Sequence, residues 1–416
     1  MPGAGTRMAA TIDSDVFLLL DLTRLISRVG RGPLTGIDRV ELAYLEALLR
    51  RDAQCGFLIR TGHGFAVLDR EGGSVLHDRL EGRAQWGAAD WRSRLRRKQV
   101  PLRQRAETEI RRVAIATPGR SRLTQALRRL SLTDGWYLNV GHSNLNVDVM
   151  HAVRGGRIGV LVHDTIPLDH PQFQTPQSRR RFKEKLAVVS RFADLVIYNS
   201  IHSREAAECH FRDLGRVPDG MVAHLGISVP AWDGTSSSRI VDPQRPFFLS
   251  VGTIEPRKNH VLLLDVWRIL ARRLPPERVP HLYIIGRRGW MNDDVFLRLD
   301  HRSGGGAFVF ERDDVDDADL TRMLASAQAL LFPSFAEGFG LPLIEAAAQG
   351  TPVVCGALPV YREFLGDFPV YLPLHDRYLW AQEIEKMSGR KRLAGKDGAI
   401  EVPSWHDHFR KVFSAL

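Results

Sequence analysis

The sequence predicts an α/β protein made of two parallel-sheet halves, on three observations. Short apolar runs alternate with longer segments whose apolar residues recur at helical spacing. The alternation stops once, over residues 229–245, a polar stretch bearing Pro, Gly and Ser that reads as a linker, and then restarts. The length of 416 residues, at about 150 per domain, allows two or three domains with ample core.

Taken in order, residues 16–21 (VFLLLD) read as the first strand. A loop bearing Gly30, Gly32 and Gly36 comes next, then a helix whose inner face is Ile37, Val40, Tyr44, Leu45, Leu48 and Leu49. Thr35 and Asp38 have the spacing of a variant capping box. Further strands are expected at 136–140, 158–162, 195–199 and 221–224. Beyond the linker they are expected at 247–252, 281–286, 307–311, 329–332, 352–355 and 370–372, with helices such as 261–271 and 341–349 between them. Two such halves, residues 1–228 and 246–403, face each other across a cleft, where ligands meet the carboxyl ends of the strands.

Composition excludes several classes. Hydrophobic content of 44% and charged content of 25% are ordinary for a globular chain. No run approaches the ~18 apolar residues of a membrane span, and residues 1–14 lack a signal peptide's apolar region. Cys55, Cys209 and Cys355 are far apart, which argues for a reducing cytoplasm and against a cysteine-based metal site.

The net charge of +10 is local. Residues 91–130 hold thirteen Lys/Arg against Glu107 and Glu109. Leu123, Ala126, Leu127 and Leu130 recur among Arg120, Arg122, Arg128 and Arg129 as a short basic amphipathic pattern. Either a solvated surface helix or attachment to an anionic membrane surface fits it, at about 1 kcal/mol per basic residue in the second case. Nucleic acid fits poorly, because Trp91 is the only aromatic available for stacking.

Two segments carry chemistry. Glu337-Gly338-Phe339-Gly340 follows the strand at 329–332 and leads into a helix with Pro342 in its first turn and Glu345 behind it. Gly338 and Gly340 admit close backbone approach, and the helix start offers free N–H groups to an anion. Upstream, Arg257 and Lys258 stand just before a helix that Asn259 is expected to cap. Cations at that positive helix end are misplaced unless an anion lies between, and a diphosphate suits an Arg fork beside a Lys point charge.

The segments EPRKN (255–259), EGFGLPLIE (337–345) and GTPVV (350–354) together resemble retaining glycosyltransferases of the GT-B fold, family 4. HDTIPL (163–168) and YNS (198–200) resemble motifs of the bacterial, mannosyltransferase-like branch, and the closing SWHDHF (404–409) resembles the family's terminal helix. The resemblance covers residue 158 to the end well and residues 16–50 loosely. It implies the GT-B architecture with a final helix, 404–416, crossing back to the first domain. It implies that Arg257 and Lys258 hold the donor diphosphate, Glu345 the ribose, and Glu337 the hydroxyls of the transferred sugar. The backbone of Gly338, Phe339 and Gly340 would cradle sugar and phosphate. His163 would contact the sugar as a positioning donor, and the loop with Gly32 and Gly36 would face phosphates or acceptor. Retention by front-face attack, without metal or cofactor, is the implied chemistry. The implied setting is bacterial surface polysaccharide, with GDP-mannose as the first donor to consider and a saccharide acceptor, lipid-linked, at the inner membrane face. One departure is that many members carry an extra Arg where this chain has Thr253 or Ile254. The pairs Asp313-Asp314 and Asp316-Asp317 read as a solvated helix start and not as a metal motif.

Two other classes fit the sequence less well. A dinucleotide oxidoreductase or epimerase would use the first glycine loop, but it reads GxGxxxG, and Asp52 precedes the apolar run 56–59 instead of ending a strand. A nucleic-acid-binding protein would explain the basic segment and leave Glu337, Glu345, Arg257 and Lys258 without a role.

Overall fold

A computed structural model describes residues 16–95, 98–130, 134–228, 238, 240–301, 306–390 and 398–416. The leading residues 1–14, Arg96, Arg97 and most of the expected linker (229–237 and 239) lie outside the described residues.

The first sheet holds β1 (Leu18–Asp21), β2 (Cys55–Thr61), β3 (Gly64–Leu68), β4 (Trp136–Asn139), β5 (Arg157–Val162), β6 (Leu195–Tyr198) and β7 (Asp219–Val222). Its order is β3-β2-β1-β4-β5-β6-β7, with only β3 antiparallel. The second holds β8 (Phe247–Val251), β9 (His281–Ile285), β10 (Val309–Arg312), β11 (Ala329–Phe332), β12 (Val353–Cys355) and β13 (Val370–Tyr371), all parallel, in the order β10-β9-β8-β11-β12-β13. That second order is the doubly wound one, whose switch point lies between β8 and β11. Inner strands are nearly all apolar, LLLD in β1 and ALLF in β11, because helices cover both faces of each sheet.

Several elements were not foreseen. The helix Thr23–Arg28 stands between β1 and the glycine loop. The hairpin β2–β3 and the helix Arg70–Leu80 fill a region that carried no clear pattern. The capping pair formed as expected. The Asp38 carboxylate accepts the Thr35 N–H at 2.8 Å at the start of helix Gly36–Arg50. Asn259 does not cap through its side chain. It takes a left-handed conformation (φ 54°) to turn the chain sharply, and its amide donates instead to the Leu374 carbonyl at 3.4 Å.

The final helix, Trp405–Ser414, packs on the first domain. Tyr44 Oη and His408 Nε2 are 2.8 Å apart, and Phe409 meets the Tyr44 ring edge-on at 5.0 Å. No described helix is long and apolar enough to cross a membrane.

Candidate active site

The donor side of the cleft is built at the carboxyl ends of β8 and β11. After β8 the chain passes Gly252 and makes one 3₁₀ turn, Pro256–Lys258. After β11 it makes the loop 333–340 and enters helix Leu341–Ala348 through Gly340, at φ 89°. These two turns place Arg257, Lys258 and Glu337 together. The Glu337 carboxylate lies 2.7 Å from Arg257 and 2.6 Å from Lys258, while Glu255 lies 2.6 Å from Arg257. All four are largely buried, so Arg257 and Lys258 are not solvated surface cations. The anion that their position calls for is supplied, in this structure, by Glu337. Burial raises the Glu337 carboxyl, but Arg257 and then Lys258 outweigh it and hold it at about 2. Burial pulls Lys258 below its ordinary value, with Glu337 acting against it.

The facing wall comes from the first domain. His163 follows β5 and is buried. Its Nε2–H donates to the Val140 carbonyl at 2.7 Å, and burial lowers its pKa to about 4, so the ring is neutral and its N–H is already used. In this arrangement the His163 Nε2–H is held by the Val140 carbonyl and is not free for a sugar. The next residue, Asp164, was missed. Burial lifts its carboxyl to about 6, against the pull of Arg257. A Cβ on Gly338 would come 2.4 Å from the His163 carbonyl oxygen and 2.8 Å from Asp164 Cβ, so glycine is needed where the two domains touch. Ser200 and Ser203 pin that contact. Their hydroxyls reach the Gly338 carbonyl at 3.3 and 3.1 Å, and Asn199 donates to the His163 carbonyl at 2.9 Å. The YNS segment thus ties the glycine loop to His163.

Glu345 sits one turn into its helix. Burial raises its carboxyl to about 7 against the pull of Arg39, which crosses from the first domain to pair with it at 2.9 Å and with Asp317 at 2.5 Å. Arg39 was also missed, because nothing local marks a partner 306 positions away. In the glycine loop, Gly30 and Gly32 have φ of 78° and 90°. The Arg287 guanidinium lies over Gly32 and donates to the Arg31 carbonyl. A Cβ on Gly36 would meet Leu341 at 3.1 Å. Both therefore face the second domain, Gly32 against Arg287 beyond β9 and Gly36 against the start of the Glu345 helix. Phe339 is buried and packs on Phe364, so only its backbone is available to a ligand.

The basic segment is more integrated than its sequence suggests. Arg103 pairs with Glu107 at 3.1 Å and Arg111 with Asp90 at 2.7 Å. Leu123 and Leu127, the apolar side of helix Leu123–Arg128, are buried in the domain core and cannot enter a bilayer. Arg120, Arg122, Arg128 and Arg129 stay exposed. Asp316 caps the helix Asp317–Ser326 by accepting the Asp319 N–H at 2.7 Å, as the helix-start reading anticipated. Among the described residues Glu46, His77 and Glu81 could meet at a metal ion, but Arg50 and Arg83 already engage Glu46 and His77.

Two doubly wound sheets facing a cleft, with an acid-base quartet at the switch point of the second, define a GT-B protein. The profile of the family described as "Glycosyl transferases group 1" matches residues 236–386, which hold the second sheet and the Arg257–Lys258–Glu337 group. Relatives of the chain include the Escherichia coli serotype-specific mannosyltransferase WbdA, 31% identical over 238 residues (54% of this chain, 29% of that one). The Escherichia coli O-antigen chain mannosyltransferase B is 40% identical over 121 residues (29% of this chain, 31% of that one). The chain thus spans under a third of the length of these relatives. Among solved structures, Anabaena HepE, crystallised with UDP and glucose, aligns with a TM-score of 0.59 at 15% identity over 96% of this chain and 95% of its own. Trehalose-6-phosphate synthase OtsA aligns with a TM-score of 0.59 at 14% identity, over 96% and 98%.

Proposed function

We propose that this protein transfers a hexose or deoxyhexose, mannose from GDP-mannose first among them, to a saccharide acceptor with retention of anomeric configuration. The observation that carries the reading is the buried Arg257–Lys258–Glu337 group beside the start of helix Leu341–Ala348 and opposite His163. The mannosyltransferase names of two relatives support the sugar.

With Glu255 and Glu337 ionised, the quartet carries no net charge. A donor diphosphate takes the place of Glu337 against Arg257 and Lys258, and Glu337 turns to the hydroxyls of the sugar. Recognition of sugar and of phosphate are thereby coupled. As the bond to the leaving group breaks, the fixed cations and the N–H groups at Gly338–Gly340 meet the growing negative charge, the role a metal would otherwise fill. The acceptor hydroxyl attacks from the same face, and its proton passes to the departing phosphate oxygen. Neutral His163 shapes the sugar pocket without acting as acid or base, and Glu345 holds the ribose.

Polysaccharide synthesis on a lipid-linked acceptor fits the surface of the first domain. Arg92 and Arg94 flank Trp91 and Leu95, which are 69% and 70% exposed. Contact with an anionic cytoplasmic membrane face would be electrostatic, with these two side chains as shallow anchors. Incubation with GDP-α-mannose and a short mannoside tests the reading by NMR of the product. An α-mannoside is expected, and a β product or no glycoside would overturn it.

A further inference from the structure

The first domain holds cations that the donor reading leaves unused. Arg24 lies just after β1, and Arg60 lies in β2 with its backbone N–H bonded to the Thr23 hydroxyl at 2.9 Å, so both emerge at one sheet edge. Lys185 lies on helix Pro176–Phe192, one turn beyond Phe182 and on its face. The Phe182 ring is 6.2 Å from His142, which is 5.2 Å from His163. A Cβ on Gly141 would lie 3.0 Å from Arg24 Cβ. These contacts gather Arg24, Arg60 and Lys185 at the carboxyl ends of the strands, beside His163.

Among the described residues Lys185 and Arg60 have no counter-ion there, and Arg24 shares Asp38 with Arg28. Lys185 is half-buried. Burial pulls its pKa down, and every charge acting on it, from Arg24, Arg60 and Arg181, is positive. Among the described residues the side chains of Lys185 and Arg60 have neither hydrogen-bond nor ion-pair partner. The acids nearby do not answer them. Asp38 is fully buried and already paired with Arg24 and Arg28. Asp21 and Glu41 are held toward their protonated forms by burial. His142 and His163 spend their Nε2–H groups on the carbonyls of Leu161 and Val140. A solvated rim would explain the exposed Arg60 and Arg181, but not a half-buried lysine placed among them.

We propose that Arg24, Arg60 and Lys185 bind a phosphate group carried by the acceptor, next to the hydroxyl that receives the sugar. Two guanidinium groups and an ammonium match a dianion, and their place on the domain opposite Arg257 and Lys258 separates this phosphate from the donor's. The inference rests on the glycosyltransfer reading above. It adds that the acceptor is a sugar phosphate, either soluble or displayed as the head of a lipid-linked saccharide.

The test is calorimetric binding to the full chain of hexose 1-phosphate, and of a prenyl diphosphate-linked hexose in phosphatidylcholine vesicles. Parent, Lys185→Ala, Arg60→Gln and Lys258→Ala are compared. Both Lys185→Ala and Arg60→Gln should weaken the probes about 10- to 100-fold, and Lys258→Ala should leave them nearly unchanged. Lys185 and Arg60 lack partners, so both variants should keep the parent's circular dichroism. Tighter binding of the vesicle probe identifies a lipid-borne phosphate, and equal binding a soluble one. Either supports the site. No binding of either probe, retention of both by Lys185→Ala, or loss in Lys258→Ala alone would overturn it. The GDP-induced thermal shift scores the donor reading separately. A chain that binds GDP but no phosphate at Lys185 refutes only this site, and the converse refutes only the donor assignment.

Discussion

Replacing Glu337 by Gln removes the carboxylate that faces Arg257 at 2.7 Å and Lys258 at 2.6 Å and leaves the shape nearly unchanged. The carboxyl is 9% exposed and is held at about 2 against an ordinary 4.5, burial opposing and Arg257 and Lys258 winning. A depressed carboxyl contributes stability that is present above the ordinary value and lost as pH falls through about 2. At neutral pH the difference is worth about 3 kcal/mol, in line with the ~3–5 kcal/mol for breaking a buried pair. For a domain of this size that lowers the melting temperature by about 6–12 °C. The same change frees two cations for phosphate, so GDP should stabilise Glu337→Gln more than the parent, following the ratio of ligand concentration to Kd. Thermal melts with and without GDP read both effects. A variant that melts with the parent and gains no more from GDP would refute the picture of Glu337 as the resident counter-ion.

Lys258→Ala should fold normally, because Arg257 still faces Glu337, and should lose about 10²–10³-fold in kcat, read by turnover beside circular dichroism. Glu345, raised to about 7, adds stability that is full below 4.5 and fades as pH rises through 7. Arg39→Ala removes its opposing cation, so melting temperature against pH should fall off at higher pH, with a donor KM about tenfold larger. Gly338→Ala forces a Cβ against the His163 carbonyl and should part the domains, seen as a larger radius in small-angle scattering together with lost activity. Neutralising Arg120, Arg122, Arg128 and Arg129 together should weaken sedimentation with anionic vesicles at least about tenfold, and unchanged binding would leave those residues a solvated surface.

The fold was legible because buried parallel strands write themselves as apolar runs. LLLD, ALLF and FFLSV could be placed within a residue or two. The 60–130 region was not, since its hairpin and helices trade apolar faces for ion pairs such as Arg103–Glu107. At the site, Arg257, Lys258, Glu337 and Glu345 stood out as charges beside glycines and helix starts. What could not be read was who meets whom across the cleft. Arg39 reaching Glu345, and Ser203 holding the Gly338 carbonyl, join residues on different domains. The use of the His163 N–H by Val140 depends on how β4 and β5 end side by side. One signal was available for Asp164, an acid next to a candidate site histidine.

The central claim is that the Arg257–Lys258–Glu337 group holds a nucleoside diphosphate sugar. Thermal shift of the full chain with GDP, UDP, TDP and NAD, repeated with Lys258→Ala, tests it most directly. Stabilisation by one nucleoside diphosphate, GDP first among them, that disappears in Lys258→Ala is the predicted result. A shift with NAD alone, or a nucleotide shift that Lys258→Ala leaves intact, would contradict it.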